Sequence, residues 1–76
     1  MTPEEADQRI IKSRQTLAVY QRMVAAGMKP ESDLGMMDAE ICILLNIAQE
    51  HHEKTAKIEA LIGQWRELMG KIRTVH

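Results

Sequence analysis

The chain has 76 residues and sets 10 Lys and Arg against 11 Asp and Glu, for a formal net charge of −1. That balance excludes a broad basic nucleic-acid footprint and an acidic tail, and the length allows one domain at most. The apolar fraction of 45% comes chiefly from Ile, Leu, Met and Ala, with one Trp, one Tyr and no Phe, a set that favours helices over strands.

A core built from so short a chain barely offsets the entropy lost on folding, so support from a second copy or a partner is expected. Cys42 is the single cysteine, which rules out an intrachain disulfide. Its neighbours Ile41 and Ile43 point to a buried, unreactive thiol in a reducing compartment. The opening Met1-Thr2-Pro3-Glu4-Glu5 has no charged-then-apolar signal layout, and no apolar run approaches the roughly 20 residues of a membrane span. A cytoplasmic protein with no membrane partner is expected.

The first predicted helix covers about 3–26. Thr2 supplies a capping hydroxyl, Pro3 suits the first helical position, and Glu5 falls three residues after the cap to complete a capping box. Ala6, Ile10, Ser13, Leu17, Tyr20 and Val24 form its inner seam at three-four spacing, and Ile11, Ala18 and Ala25 form a second stripe around the cylinder. Gly27 can take the left-handed conformation that closes a helix, Met28 can add the accompanying apolar contact, and Pro30 forbids continuation. Ser32 or Asp33 then caps the next helix, leaving a short link that fits antiparallel neighbours.

From Leu34 the seam runs through Met37, Ile41, Leu44, Ala48, His51, Thr55, Ile58, Ile62, Trp65, Met69 and Ile72. Unbroken spacing of that kind predicts one long helix over about 33–73, roughly 60 Å at 1.5 Å per residue, against roughly 36 Å for the first. Folded as a hairpin, the second helix would overhang, leaving Ile58, Leu61, Ile62, Trp65, Leu68, Met69 and Ile72 bare. Their exposure would forfeit on the order of 10 kcal/mol. Either a second copy covers them, or the helix breaks near 49–55 and folds back as a three-helix bundle. That stretch holds no Gly or Pro and only Thr55 as a cap, so association is the expected solution. The block from Ile41 to Ala48, apolar around most of the cylinder, agrees with it.

Few residues suggest chemistry. His51-His52-Glu53 invites a metal or pH-switch reading across a dimer axis, but adjacent histidines point about 100° apart on a helix and cannot share one ion as an i, i+4 pair can. His51 and Thr55 are better read as polar interruptions that set the register of the seam. Ala56, Gly63 and Gly70 recur every seven residues, a spacing that lets another helix approach closely. Trp65 is the natural partner anchor, since Trp buries a large area around one N–H donor, and the methionines read first as adaptable filler. No nucleophile triad, Cys-x-x-Cys, His-x-x-x-His or phosphate-cradling glycine loop occurs. Arg9, Lys12, Arg14 and Arg22 are spread around the first helix with acids between them, a weak basis for binding RNA.

The expected fold is therefore all-α: an antiparallel helical hairpin in a single domain, 1–76, paired into a homodimer with a four-helix middle. In outline it resembles two-helix hairpin adaptors such as dimeric plasmid RNA-binding hairpins and small secretion chaperones, a likeness of architecture that covers no motif and so identifies no family. The expected role is non-enzymatic, without metal or cofactor: a small adaptor or inhibitor that binds and blocks or organises another protein, a size and chemistry compatible with a mobile element or phage. A dimeric RNA- or DNA-binding hairpin is the first alternative, and a His-based metal or pH-sensing dimer the second.

Overall fold

Helix α1, Pro3–Ala25, begins as its capping residues dictate. The Glu5 backbone N–H donates to Thr2 Oγ1 at 3.1 Å and the Thr2 N–H donates to Glu5 Oε1 at 3.0 Å, closing the capping box. Accepting from the Thr2 backbone holds the Glu5 carboxyl below its ordinary value. At the other end Gly27 takes φ +88°, and Met28 N–H to Met23 O and Gly27 N–H to Val24 O, both 3.0 Å, complete a Schellman ending. Met28 itself stays exposed rather than packing over that turn.

The computed structural model describes residues 1–74, and among these every regular element is helical. After a single 3-10 turn at Glu31–Asp33 comes α2, Leu34–Glu50; a second 3-10 turn at His52–Lys54 leads to α3, Thr55–Arg73. Asp33 occupies the cap position of α2 but makes no side-chain cap bond. Its carboxylate is taken instead by Tyr20, whose hydroxyl donates to Oδ2 at 2.7 Å.

The long second helix is thus two helices. At His51 the backbone adopts φ −130°, ψ 77°, after its N–H has closed the last turn of α2 on Ile47 O at 2.8 Å. Neither Gly nor Pro causes the break, and no side chain caps α3. The gain lies in what the reversal covers: Ile58, Leu61, Ile62, Trp65, Leu68, Met69 and Ile72 are all at most 4% exposed within their own chain. At roughly 1.5–3 kcal/mol per large side chain, that burial outweighs the few backbone hydrogen bonds lost at the corner. The overhang that called for a second copy, and with it the case for a dimeric four-helix bundle, does not arise. The longest dimension is 42 Å, far short of a continuous second helix.

The three helices run up, down and up, packing α1 and α3 side by side. Ala6, Ile10, Ser13 and Leu17 carry the buried face of α1; Met37, Ile41, Leu44 and Ile47 carry that of α2. Trp65 sits at the centre, 0% exposed, its Nε1–H donating to Ser13 Oγ at 3.0 Å and its ring meeting Tyr20 edge-on at 6.2 Å. A small Ser on α1 opposite the indole both makes room for it and satisfies its only donor. Trp65 is therefore core, not a surface anchor.

Polar ties fix α1 against the other two helices. Arg9 pairs with the buried Glu40 of α2, and Lys54 Nζ donates to Asp7 Oδ1 at 2.8 Å. That hydrogen bond holds the Asp7 carboxyl below the usual aspartate value. At the far end Lys29 Nζ donates to Thr74 O at 2.9 Å, joining the α1–α2 link to the end of α3. No described helix is long and apolar enough to cross a membrane.

No described helix of the same chain rests on Ala56, Gly63 and Gly70. Ala56 is exposed, and a Cβ added at Gly63 or Gly70 would meet nothing within 4 Å. Both glycines lie on the outer side of α3, where they only weaken the helix. Gly63→Ala should accordingly raise stability by about 0.5–1 kcal/mol in a urea melt, whereas a loss would show that another helix does rest there. A second expectation concerns Tyr20, whose hydrogen bond to Asp33 pushes its phenol up to about 12. Because the folded value is raised, the stabilisation from that bond is complete below the unfolded value of about 10 and is lost as pH rises through the folded one. Phenolate absorbance of this single tyrosine should titrate near the raised value in the native protein and fall toward the ordinary one in Asp33→Asn.

Candidate interaction face

With the Ile58 to Ile72 stripe buried, α1 still exposes Ile11 and Val19, and α2 exposes Met36, Ile43 and Leu45; what sets α2 apart is how few charges accompany them. Its sequence, LGMMDAEICILLNIAQE, contains no Lys or Arg. Of its three acids, Glu40 is turned inward to Arg9, so only Asp38 and Glu50 reach water. Between those two the solvent side presents Ala39, Cys42, Ile43, Leu45, Asn46 and Gln49, none charged. Met36, Ile43 and Leu45 are 42%, 39% and 43% exposed. A helix that buries Met37, Ile41, Leu44 and Ile47 has already satisfied the core with one stripe; these residues lie outside it.

The face has two flanks. At roughly 100° per residue Met36 and Ile43 fall together on the side of Glu40, toward α1. Cys42 and Leu45 fall on the other side, where they border a groove of about 560 Å³ between α2 and α3, lined also by Asp38, Ile41, Arg66, Met69 and Arg73. Ile41 and Met69, both buried, make the groove floor. Arg73 Nη2 lies 3.6 Å from Asp38 Oδ2, with both side chains more than half exposed, so the pair is loose and screened by solvent. Arg66 forms no ion pair among the described residues.

The histidines are parted by the corner. His51 ends α2 largely buried, its Nε2 3.2 Å from Met1 O and its ring 3.7 Å from Glu53 Oε1; His52 is exposed on the following turn. His51 and Thr55 thus sit at the α2–α3 reversal rather than inside a continuous seam. Among the described residues no three His, Cys, Asp or Glu side chains are grouped to hold a metal ion. The basic residues of α1 do not gather: Arg9 is spent on Glu40, while Lys12, Arg14 and Arg22 point in different directions by helical angle.

Cys42 is exposed, not buried as its neighbours suggested. Residues adjacent in a helix lie about 100° apart, so Ile41 points into the core while Cys42 points out. Ile43 and Leu45, exposed on α2, fall within the block from Ile41 to Ala48 that the sequence marks as apolar around most of the cylinder. Comparison with protein-family models, curated proteins and solved structures finds no match to this chain. The geometry of Cys42 yields a direct check: one thiol per chain should react with Ellman's reagent in native buffer nearly as fast as in denaturant, and a reaction that waits for unfolding would place Cys42 inside.

Proposed function

We propose that the chain is a non-enzymatic protein-binding module, a small three-helix adaptor or inhibitor that engages another protein through the outer face of α2. The observation that carries this reading is the charge-free solvent side of α2 between Asp38 and Glu50, with Met36, Ile43 and Leu45 each about two-fifths exposed. Scattered exposed apolar residues are ordinary, but a stretch of about three helical turns without an exposed charge has the composition of an interface centre, where charged residues are depleted. A standard interface buries about 800 Å² on each partner, more than one helix face offers, so the partner also spreads onto the flanks.

Other supports for this reading lie in what the fold already satisfies. The core is complete without the outer face of α2, so the apolar residues there add little to folding and are free to serve binding. The buried polar groups are tied into structural pairs, Trp65 with Ser13 and Glu40 with Arg9, which leaves no cluster of them for acid-base chemistry. For nucleic acid the α1 cations offer no continuous strip.

Ile43→Glu and Leu45→Glu separate this proposal from a purely structural role. Both sites are solvent-accessible, so stability should change by no more than about 0.5 kcal/mol. A protein recovered on wild-type chain in a quantitative pull-down should be lost on either variant and retained on Gly63→Gln, which alters the outer side of α3. Equal recovery on all three variants would move the binding surface off α2.

A further inference from the structure

Resting on that reading, we propose that the partner presents an acidic amphipathic helix, which lies in the groove between α2 and α3 with its carboxylates on Arg66 and Arg73. The two arginines are seven residues apart on one side of α3, a rise of about 10.5 Å, or two turns. Between them and the exposed edge of α2 the groove is apolar, with Ile41 and Met69 below and Cys42 and Leu45 along the wall. A helix with acids at i and i+7 and large apolar residues at i+1, i+4 and i+8, about 80° around the cylinder, has the same repeat, placing its carboxylates on the guanidinium groups and its apolar side on the floor.

Charge complementarity selects this occupant. The groove rim carries two guanidinium groups against the single carboxylate of Asp38, and Arg66 has no ion-pair partner among the described residues. An apolar floor does not suit a phosphate backbone, which needs cations along its whole track. A second copy of this chain fits poorly as well. Its own acids seven apart are Glu31 with Asp38 and Asp33 with Glu40. Glu31 lies in the 3-10 turn while Asp38 stands on the rim of the groove itself, and Asp33 and Glu40 are engaged by Tyr20 and Arg9, so neither pair forms a free stripe on one helix. Arginine suits the task better than lysine, because its planar fork takes a carboxylate in two parallel bonds.

The probe is a hydrocarbon-stapled helical peptide with glutamates at i and i+7 and leucines at i+1, i+4 and i+8, compared with the same peptide carrying glutamines. Fluorescence anisotropy should show the acidic peptide binding at least ten times more tightly at low salt, with the advantage shrinking as salt rises. Amide shifts should map to 38–45 and 66–73, and Arg66→Glu together with Arg73→Glu should abolish the preference while leaving Trp65 fluorescence unchanged. A lysine-substituted peptide that binds the doubly reversed variant would complete the charge exchange. Equal affinity for the two peptides, or shifts mapping elsewhere, overturns the acidic partner. So does light scattering that shows a dimer dispersed by Leu45→Glu, since a second copy would then fill the groove. These failures are distinct from failure of the α2 face itself, which is read from the pull-down: capture lost on Ile43→Glu with no peptide preference keeps the face and discards only the acidic helix.

Discussion

At His51 the backbone leaves the helix, and seven large side chains from Ile58 to Ile72 turn back onto α1 and α2 instead of projecting past them. That reversal is the constraint on which the rest of the molecule depends. Its local cost is plain: α3 starts without a side-chain cap, and the corner surrenders several helical hydrogen bonds worth about 0.5–1.5 kcal/mol each. A helix that stayed continuous would keep those bonds and lose burial on the order of 10 kcal/mol, which a domain of this size could not spare. Tertiary burial therefore decides the local conformation. The corner is further held by Lys54 on Asp7 and by His51 against the Met1 carbonyl, so the start of α1 closes over the place where α2 ends.

Once α3 has folded back, α1 completes the core with a thin apolar contribution. Two of its four fully buried residues, Ala6 and Ser13, are small, and the helix is registered largely by polar links at intervals along its length. Asp7 meets Lys54, Arg9 meets Glu40, Ser13 meets Trp65 and Tyr20 meets Asp33. Each is directional, so a slide of one helical turn would break them together. The Arg9–Glu40 pair also carries a cost, because Glu40 Oε2 is buried without a hydrogen-bond partner among the described residues. Buried ion pairs of this kind add little net stability, yet removal of one partner strands the other; their contribution here is to single out one register of α1 on α2.

The helical class, the extent of α1, both of its caps and nearly every core position were readable from Thr2, Gly27 and the three-four spacing, because those signals are local. The corner was not. A three-residue 3-10 turn between Glu50 and Thr55 lets the apparent seam pass from Ala48 through His51 and Thr55 to Ile58 without a missed step, so periodicity carries no mark of the break. Glycine and proline are the usual signals of a reversal, and this one uses neither. The missing mark bears on function: on a continuous helix Trp65 and its neighbours are a bare stripe, and on the reversed one they are core. Cys42 failed for a simpler reason, since flanking isoleucines report composition rather than direction. The competing three-helix arrangement was visible as an alternative, and what decided for it is the large burial won against a modest backbone cost.

The fold-back also changes which apolar residues call for an explanation. In an overhanging helix the stripe from Ile58 to Ile72 would be the binding surface, and the breadth of apolar residues on α2 would be dimer core. In the folded-back chain the stripe is spent on the interior, and α2 is left with more apolar surface than a bundle of three helices can use. A helix in such a bundle touches two neighbours and shows its third side to water; α1 exposes Glu4, Lys12, Arg14 and Arg22 beside Ile11 and Val19, and α3 exposes Lys57, Glu59, Glu67 and Lys71. On α2 the exposed positions between Asp38 and Glu50 are Ala39, Cys42, Ile43, Leu45, Asn46 and Gln49, none of them charged. Local packing gives no reason for that difference, because charged residues at those positions would cost the fold little and would favour solubility. The scarcity of charge along the outer side of α2 is the observation on which the proposed binding role of this helix, and of the arginine-lined groove beside it, rests.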